Sequence, residues 1–262
     1  MAHLFKLKRI LSGMNSAVLA YSGGTDSVFL AAVAGEALKD RLLAVTADSP
    51  TYPPEELRFA RSMAARLGLK HLVIKTREVE NGKFFSNPPD RCYYCKRALF
   101  AALRGIADKR GISCVIDASS LSDKKDYRPG SRAKKEFGVR SPLQEAGFDK
   151  EDIRKESRRM GLPTWNKPAM ACLASRVPYG TPLEPGLLKR INRAEQALAG
   201  MGLPGARLRH YGSLCRIETD TSYFKTILKK RERVVSILKR AGYRHITLDL
   251  QGYRQGSMNL DI

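Results

Sequence analysis

Seven residues, Tyr21-Ser22-Gly23-Gly24-Thr25-Asp26-Ser27, constrain the fold of this chain more than any other stretch. The run before them, Ala17-Val18-Leu19-Ala20, is short and apolar and reads as a buried strand. The run after them, residues 28–38, is rich in alanine and reads as a helix. The loop therefore joins a strand to a helix N-terminus, where unpaired N–H groups and the helix dipole favour an anion. Gly23 and Gly24 permit positive φ and close approach of a ligand to the backbone. Ser22 and Ser27 add hydroxyl donors, and Asp26 can cap the helix or hold the loop. A Walker A loop is excluded because no lysine follows the glycines, and the G-x-G-x-x-G dinucleotide fingerprint is absent.

The same alternation continues along the chain. Residues 42–47, 71–75 and 113–117 read as further strands, and residues 55–67, 92–109 and 150–160 as helices. Asp149 or Asp152 caps the last of these. Strands alternating with helices imply an α/β domain, a doubly wound parallel sheet whose ligands sit at the carboxyl ends of its strands. Residues 119–140 are polar and basic and read as loop. They carry Asp123 and Asp126 close to the expected nucleotide, either as oxygen ligands for magnesium or as ordinary solvated carboxylates. Residues 165–185 are proline-rich and read as a hinge. A helix at 187–201, strands at 207–209 and 215–218 around the turn Tyr211-Gly212-Ser213, a long basic helix at 223–240 and a strand at 245–250 form a smaller C-terminal α+β domain. The expected domains are residues 1–165 and 166–262.

The 262 residues carry 47 Lys and Arg against 26 Asp and Glu, a formal charge of +21. Such a surplus implies an anionic partner: nucleic acid, an anionic membrane or a small molecule rich in phosphate or carboxylate. No apolar run is long enough to span a membrane, and no secretory signal is visible, so a cytoplasmic protein is expected. Five cysteines in a reducing compartment do not suggest a disulfide framework. Cys92 and Cys95 would lie one turn apart at a helix start, where thiol pKa values fall. Three readings compete for them. A redox pair lacks the preceding strand of thioredoxins, and a structural zinc needs four ligands where only one CxxC exists. An iron–sulfur cluster on three thiolates would take Cys172 as the third. Cys114 and Cys215 read as small core residues.

The loop at Ser22–Ser27 resembles S-G-G-x-D-S, the pyrophosphate loop of the PP-loop ATP pyrophosphatases. That resemblance implies binding of ATP by its β- and γ-phosphates and transfer of AMP to a substrate oxygen. Over nearly its whole length the chain is similar to the LarE family of ATP-dependent sulfur transferases. The most specific stretches are the loop itself, Thr46–Pro53, Gly138–Leu143, Cys172–Gly180, Arg207–His210 and Gly252–Asn259. The resemblance implies a pyridinium biscarboxylate mononucleotide as substrate. One carboxylate is adenylated, and sulfur then replaces its oxygen. It implies that Ser22, Gly23, Gly24, Thr25, Asp26, Ser27 and Asp123 bind ATP with Mg2+, and that Cys172 is the reactive cysteine. Glu195 aligns with an acidic residue near that cysteine, although its sequence context alone reads as a helix surface. In the one-cysteine members the cysteine gives up its own sulfur and becomes dehydroalanine. Here Cys92 and Cys95 join Cys172 and mark the three-cysteine type, which implies a [4Fe-4S] cluster carrying an exogenous sulfide.

Elementary chemistry agrees with the anionic substrate. Arg176, Arg207, Arg209 and Arg254 could fork onto its phosphate and carboxylates. Arg207 and Arg209 alternate on one strand and so share a face. Two other functions compete. One is tRNA thiolation by a related enzyme, although no appended RNA-binding module is visible and nucleic acid is not the expected partner. The other is a non-enzymatic nucleotide or cluster sensor. The expected partners are the mononucleotide, sulfide or a sulfur donor, and further copies of the chain in a homo-oligomer.

Overall fold

The computed structural model describes residues 2–124, 129–168, 170–254 and 256–259. Asp126 lies outside them. In chain order the described elements are α1 (Ala2–Ser12), β1 (Ala17–Ala20), α2 (Thr25–Leu38), β2 (Leu42–Asp48), α3 (Pro54–Arg66), β3 (Lys70–Lys75), α4 (Gly82–Phe85), α5 (Arg91–Lys109), β4 (Cys114–Ile116) and α6 (Gly130–Glu136). They continue as α7 (Pro142–Ala146), α8 (Lys150–Arg159), α9 (Pro185–Ala199), β5 (Arg207–Tyr211), β6 (Leu214–Glu218), α10 (Phe224–Lys229), α11 (Arg231–Arg240) and β7 (His245–Leu248). The chain divides into two compact units. One comprises Met1–Glu78 and Asp90–Met170, the other Val79–Pro89 and Ala171–Ile262.

The first unit is built on a parallel sheet in the order β3-β2-β1-β4. Strand alternation sends side chains to two cores. Ala17 and Leu19 of β1 and Leu42 and Ala44 of β2 join Leu7, Leu11, Val28, Phe29, Val33 and Ile153 on one face. Val18, Leu43, Val45 and Val115 join Phe100, Leu103 and Ala107 of α5 on the other. A sheet buried on both faces needs near-continuous apolar strands, and β1 and β2 have them. The strand order reverses between β1 and β4. The crevice at that switch point is where such sheets bind ligands, and the loop after β1 opens into it.

Four helices were not expected from sequence: α1, the short α4 and α7, and α6 within the stretch read as loop. Helix α1 buries only Leu7 and Leu11, and α6 only Ala133, so neither carries a long apolar stripe. The cap proposed for α8 is present, with the Asp149 carboxylate accepting from Asp152 N at 2.8 Å. Residues 162–168 are tied to this unit by Thr25, whose hydroxyl donates to Thr164 O at 2.8 Å.

The second unit holds a three-stranded sheet, β5-β6-β7, with β5 antiparallel and β7 parallel to the central β6. Gly212 takes φ +64 in the tight turn between β5 and β6. Helix α9 buries Leu188, Ile191 and Leu198. The single helix expected over 223–240 is two, broken at Lys230 (φ −102, ψ 18), whose ammonium donates to Met201 O at 2.6 Å. The last strand stops at Leu248, because Asp249 turns the chain by accepting from Gln251 N.

Candidate active site

In the first unit the loop after β1 holds itself open by its own hydroxyls. Ser22 N donates to Ser27 Oγ at 3.3 Å, the two serine hydroxyls lie 3.1 Å apart, and Gly24 N donates to Ser22 Oγ at 3.3 Å. Gly23 takes φ +73, and a Cβ there would meet Ala60 Cα and Cβ at 2.8 Å. Gly24, extended at φ −77 and ψ 168, is the cap of α2, and no side chain caps the helix in its place. Asp26 therefore sits in the first turn, not at the cap. The result is a run of backbone N–H groups over a cavity of about 380 Å³.

That cavity is lined by Ser22, Gly24, Thr25, Asp26 and Ser27 from the loop and by Thr46–Ser49 from the end of β2. Asp117, Asp123, Lys150, Arg154 and Lys167 complete its polar wall. The expected loop residues and Asp123 are thus together, except Gly23, which packs against Ala60 and is not part of the lining. Asp123 accepts from Ser120 N at 2.8 Å and lies 3.7 Å from Lys150 Nζ. A Mg2+ ion bound mainly by substrate phosphates needs only one or two carboxylates. Asp26, Asp48 and Asp123 on this wall suit that demand.

The wall is braced by groups that no motif announced. Glu78 is buried, and its carboxylate accepts from the Ser49 and Thr51 hydroxyls, which fixes the turn after β2. The Thr46 hydroxyl donates to Tyr21 O at 2.7 Å and lies 2.8 Å from His71 Nε2. Burial, with a smaller contribution from Arg61, holds the His71 pKa below its ordinary value. The Tyr21 hydroxyl is buried, finds no hydrogen-bond partner among the described residues, and has its pKa raised by burial.

The five cysteines are all reduced. Cys92 is exposed and Cys95 half-buried in the first turn of α5, in the first unit. Cys172 is half-buried in the second unit, just before a short 3-10 turn at Leu173–Arg176. Among the described residues no three His, Cys, Asp or Glu side chains are gathered as a metal site. Burial pushes the Cys215 thiol up to about 12 and also raises Cys114, as befits core thiols.

Around Cys172 the arginines are engaged in a buried framework. Arg176 is wholly buried. Its Nε and Nη2 donate to the two oxygens of Glu195, both at 3.0 Å, and its Nη1 donates to Ala171 O at 2.7 Å and Cys172 O at 3.1 Å. Glu195 is not the surface residue its context suggested. It is buried on α9 and also accepts from Leu208 N of β5 at 2.9 Å. Arg209 forks onto Glu218 at 2.9 and 2.6 Å and donates to Ser175 O at 2.9 Å. Arg216 shares Glu218 at 2.9 Å and approaches Asp249 at 3.4 Å. Arg207 is buried with its guanidinium 5.8 Å from the Tyr253 ring centre. Burial first, and then repulsion by Arg176 and Arg209, lowers its pKa. Arg254 is exposed.

A glycine-serine loop between strand and helix, opening at the switch point of a parallel sheet, defines a PP-loop nucleotide-binding protein. Residues 6–86 match the NAD synthase family model. The chain is 36% identical over 250 residues, covering 95% of it and 91% of the relative, to the pyridinium-3,5-bisthiocarboxylic acid mononucleotide synthase of Lactiplantibacillus plantarum. It is 38% identical over 98% of its length to an uncharacterized protein of Synechocystis that it covers to 96%, and 29% identical over 95% of its length to one of Methanocaldococcus jannaschii, covered to 92%. The chain belongs to the LarE family of PP-loop ATP pyrophosphatases, and it is an ATP-dependent enzyme.

Proposed function

We propose that this enzyme adenylates a carboxylate of pyridinium-3,5-biscarboxylic acid mononucleotide and replaces an oxygen of that carboxylate with sulfur. The observation that carries the reading is Cys172 beside a buried, arginine-rich cluster, in a relative of a synthase named for the corresponding bisthiocarboxylic product. In the first unit the loop N–H groups hold the β- and γ-phosphates of ATP, and Mg2+ shared with Asp26, Asp48 or Asp123 offsets their charge. A carboxylate oxygen of the substrate attacks the α-phosphorus and pyrophosphate leaves. A sulfur nucleophile then attacks the acyl carbon, and AMP leaves with the carboxylate's oxygen.

The second unit holds the sulfur chemistry. Among the described residues the cluster pairs Arg176 with Glu195, and Arg209 and Arg216 with Glu218, and Asp249 lies 3.4 Å from Arg216. Arg207, buried on β5 among these residues, is the residue we assign to the substrate's phosphate or carboxylate, with exposed Arg254 as a second contact. Arg176 and Glu195 act as positioning residues. They fix the carbonyls of Ala171 and Cys172, and therefore the thiol that follows from that backbone. Arg209 fixes Ser175 in the same way.

Cys92, Cys95 and Cys172 are the thiols that would hold a [4Fe-4S] cluster. Cysteine thiolates are the ligands that such a cluster takes. Such a cluster, held by three thiolates, supplies an open iron that can carry sulfide. The enzyme then needs no sacrifice of Cys172.

The test is incubation of the anaerobically reconstituted enzyme with ATP, sulfide and the mononucleotide, followed by mass spectrometry. A thiocarboxylated nucleotide, formed in excess of the enzyme and without dehydroalanine at Cys172, is expected. One sulfur per chain with loss of hydrogen sulfide from Cys172 would establish the sacrificial route. Thiolation of tRNA with no reaction of the mononucleotide would overturn the substrate assignment.

A further inference from the structure

The phosphate loop lacks the lysine that a Walker loop supplies, and Asp26 is the only charged side chain within it. A bound pyrophosphate group carries several negative charges into this cavity, and a cationic side chain from elsewhere in the fold would share with Mg2+ the task of offsetting them. Among the described residues four cations line the cavity: Lys96, Lys150, Arg154 and Lys167. Lys96 lies 5.5 Å over the Phe100 ring, and Lys150 faces Asp123. Arg154 donates to the carbonyls of Trp165 and Lys167 at 2.8 and 2.9 Å. Lys167 alone among them has its ammonium on the loop, 3.4 Å from Gly23 O.

The position of Lys167 is constructed with care. Arg154 of α8 holds its carbonyl, and Thr25 of the loop itself holds the carbonyl of Thr164. The ammonium meets two side chains of α3, 3.7 Å over the Phe59 ring and 2.7 Å from Glu56 Oε2. Both partners of that ion pair line the cavity, and both are largely buried, their side chains 17% and 15% exposed. The residues of this site come from three separated stretches of sequence, which is why no motif reveals it.

We propose that Lys167 is the pyrophosphate-binding cation of this loop, and that Glu56 holds its ammonium between turnovers. On ATP binding the ammonium rotates about its flexible stem from Glu56 to the phosphates. On release Glu56 recaptures it, which lowers the affinity for the pyrophosphate product. The inference rests on the loop being the ATP site.

The test is calorimetric titration of the full chain with ATP, inorganic pyrophosphate and AMP. Lys167→Met keeps an unbranched side chain of similar length and removes the charge. It is expected to weaken ATP and pyrophosphate by about ten- to a hundredfold, the range of one charge-assisted contact, and to leave AMP within about twofold. Glu56→Gln is expected to tighten pyrophosphate, because the competing carboxylate is gone. Unchanged pyrophosphate affinity in Lys167→Met, or an equal loss of AMP, would overturn the proposal alone. A wild-type protein that binds neither ATP nor pyrophosphate would overturn the nucleotide site and the proposal with it.

Discussion

Arg176 makes five hydrogen bonds with no exposed surface, and every one of them bears on the Cys172 turn or on Glu195. Removing one partner of a buried pair leaves an uncompensated charge, at a cost of about 3–5 kcal/mol. Arg176→Ala is therefore expected to lower the denaturant midpoint strongly. Glu195→Gln keeps an acceptor for Leu208 N and should lower it less. Sulfur transfer should fall in both because Cys172 is misplaced, and ATP binding in the other unit should persist in Glu195→Gln. Equal stability of Arg176→Ala and the wild type would remove the framework role. The thiols offer a second check at this scale. Cys172 should be alkylated at neutral pH, while Cys215, with its thiol pushed up to about 12, should stay unmodified in the folded protein. Sequence marked Arg176, Arg209 and Glu195 as site residues through their motifs but could not separate framework from contact. That distinction depends on which guanidinium meets which carboxylate across α9, β5 and β6. Lys167, Glu56 and Glu78 were missed altogether, because their significance comes from tertiary neighbours and not from local spacing.

At the scale of elements, the loop between β1 and α2 depends on close approach to α3. Gly23→Ala adds a Cβ within 2.8 Å of Ala60 and forces a non-glycine residue to φ +73. The left-handed backbone alone costs about 1–2 kcal/mol. Loss of ATP binding with the far-ultraviolet circular dichroism preserved is expected. Near-normal affinity would show that the loop does not need this geometry. Strands β2 and β3 carry a pH signature. His71 is held below its ordinary value of 6.5 by burial, so the unfolded chain takes up a proton there before the native one does. The stability is complete above about pH 6.5 and declines as pH falls below it. His210 on β5, lowered by burial and by Arg190, acts in the same direction. Chemical denaturation across this window should show midpoints falling with pH, with a shallower fall in His71→Gln. A flat profile would contradict the assignment. The parallel sheet was legible from the apolar runs of β1 and β2, which need no partner to be recognised. Helix α6 was not, because it buries only Ala133, nor was the break at Lys230, which is stabilised by a carbonyl from a distant turn.

For the whole molecule, the +21 charge suits the proposed reaction, in which ATP and a phosphorylated biscarboxylate would both be polyanions. Long-range attraction is screened by salt. The kcat/KM for each substrate should fall as ionic strength rises, with kcat nearly unchanged, and a salt-independent kcat/KM would show that the surplus has another purpose. Among the described residues no helix is long and apolar enough to cross a membrane. The proposed adenylation of the carboxylate has a direct chemical test. The mononucleotide is prepared with heavy oxygen in its carboxylates and incubated with ATP and a sulfur source. If a carboxylate oxygen attacks the α-phosphorus, the AMP released carries one heavy oxygen on its phosphate and the pyrophosphate carries none. Unlabelled AMP, or ADP and orthophosphate as the main products, would contradict the account.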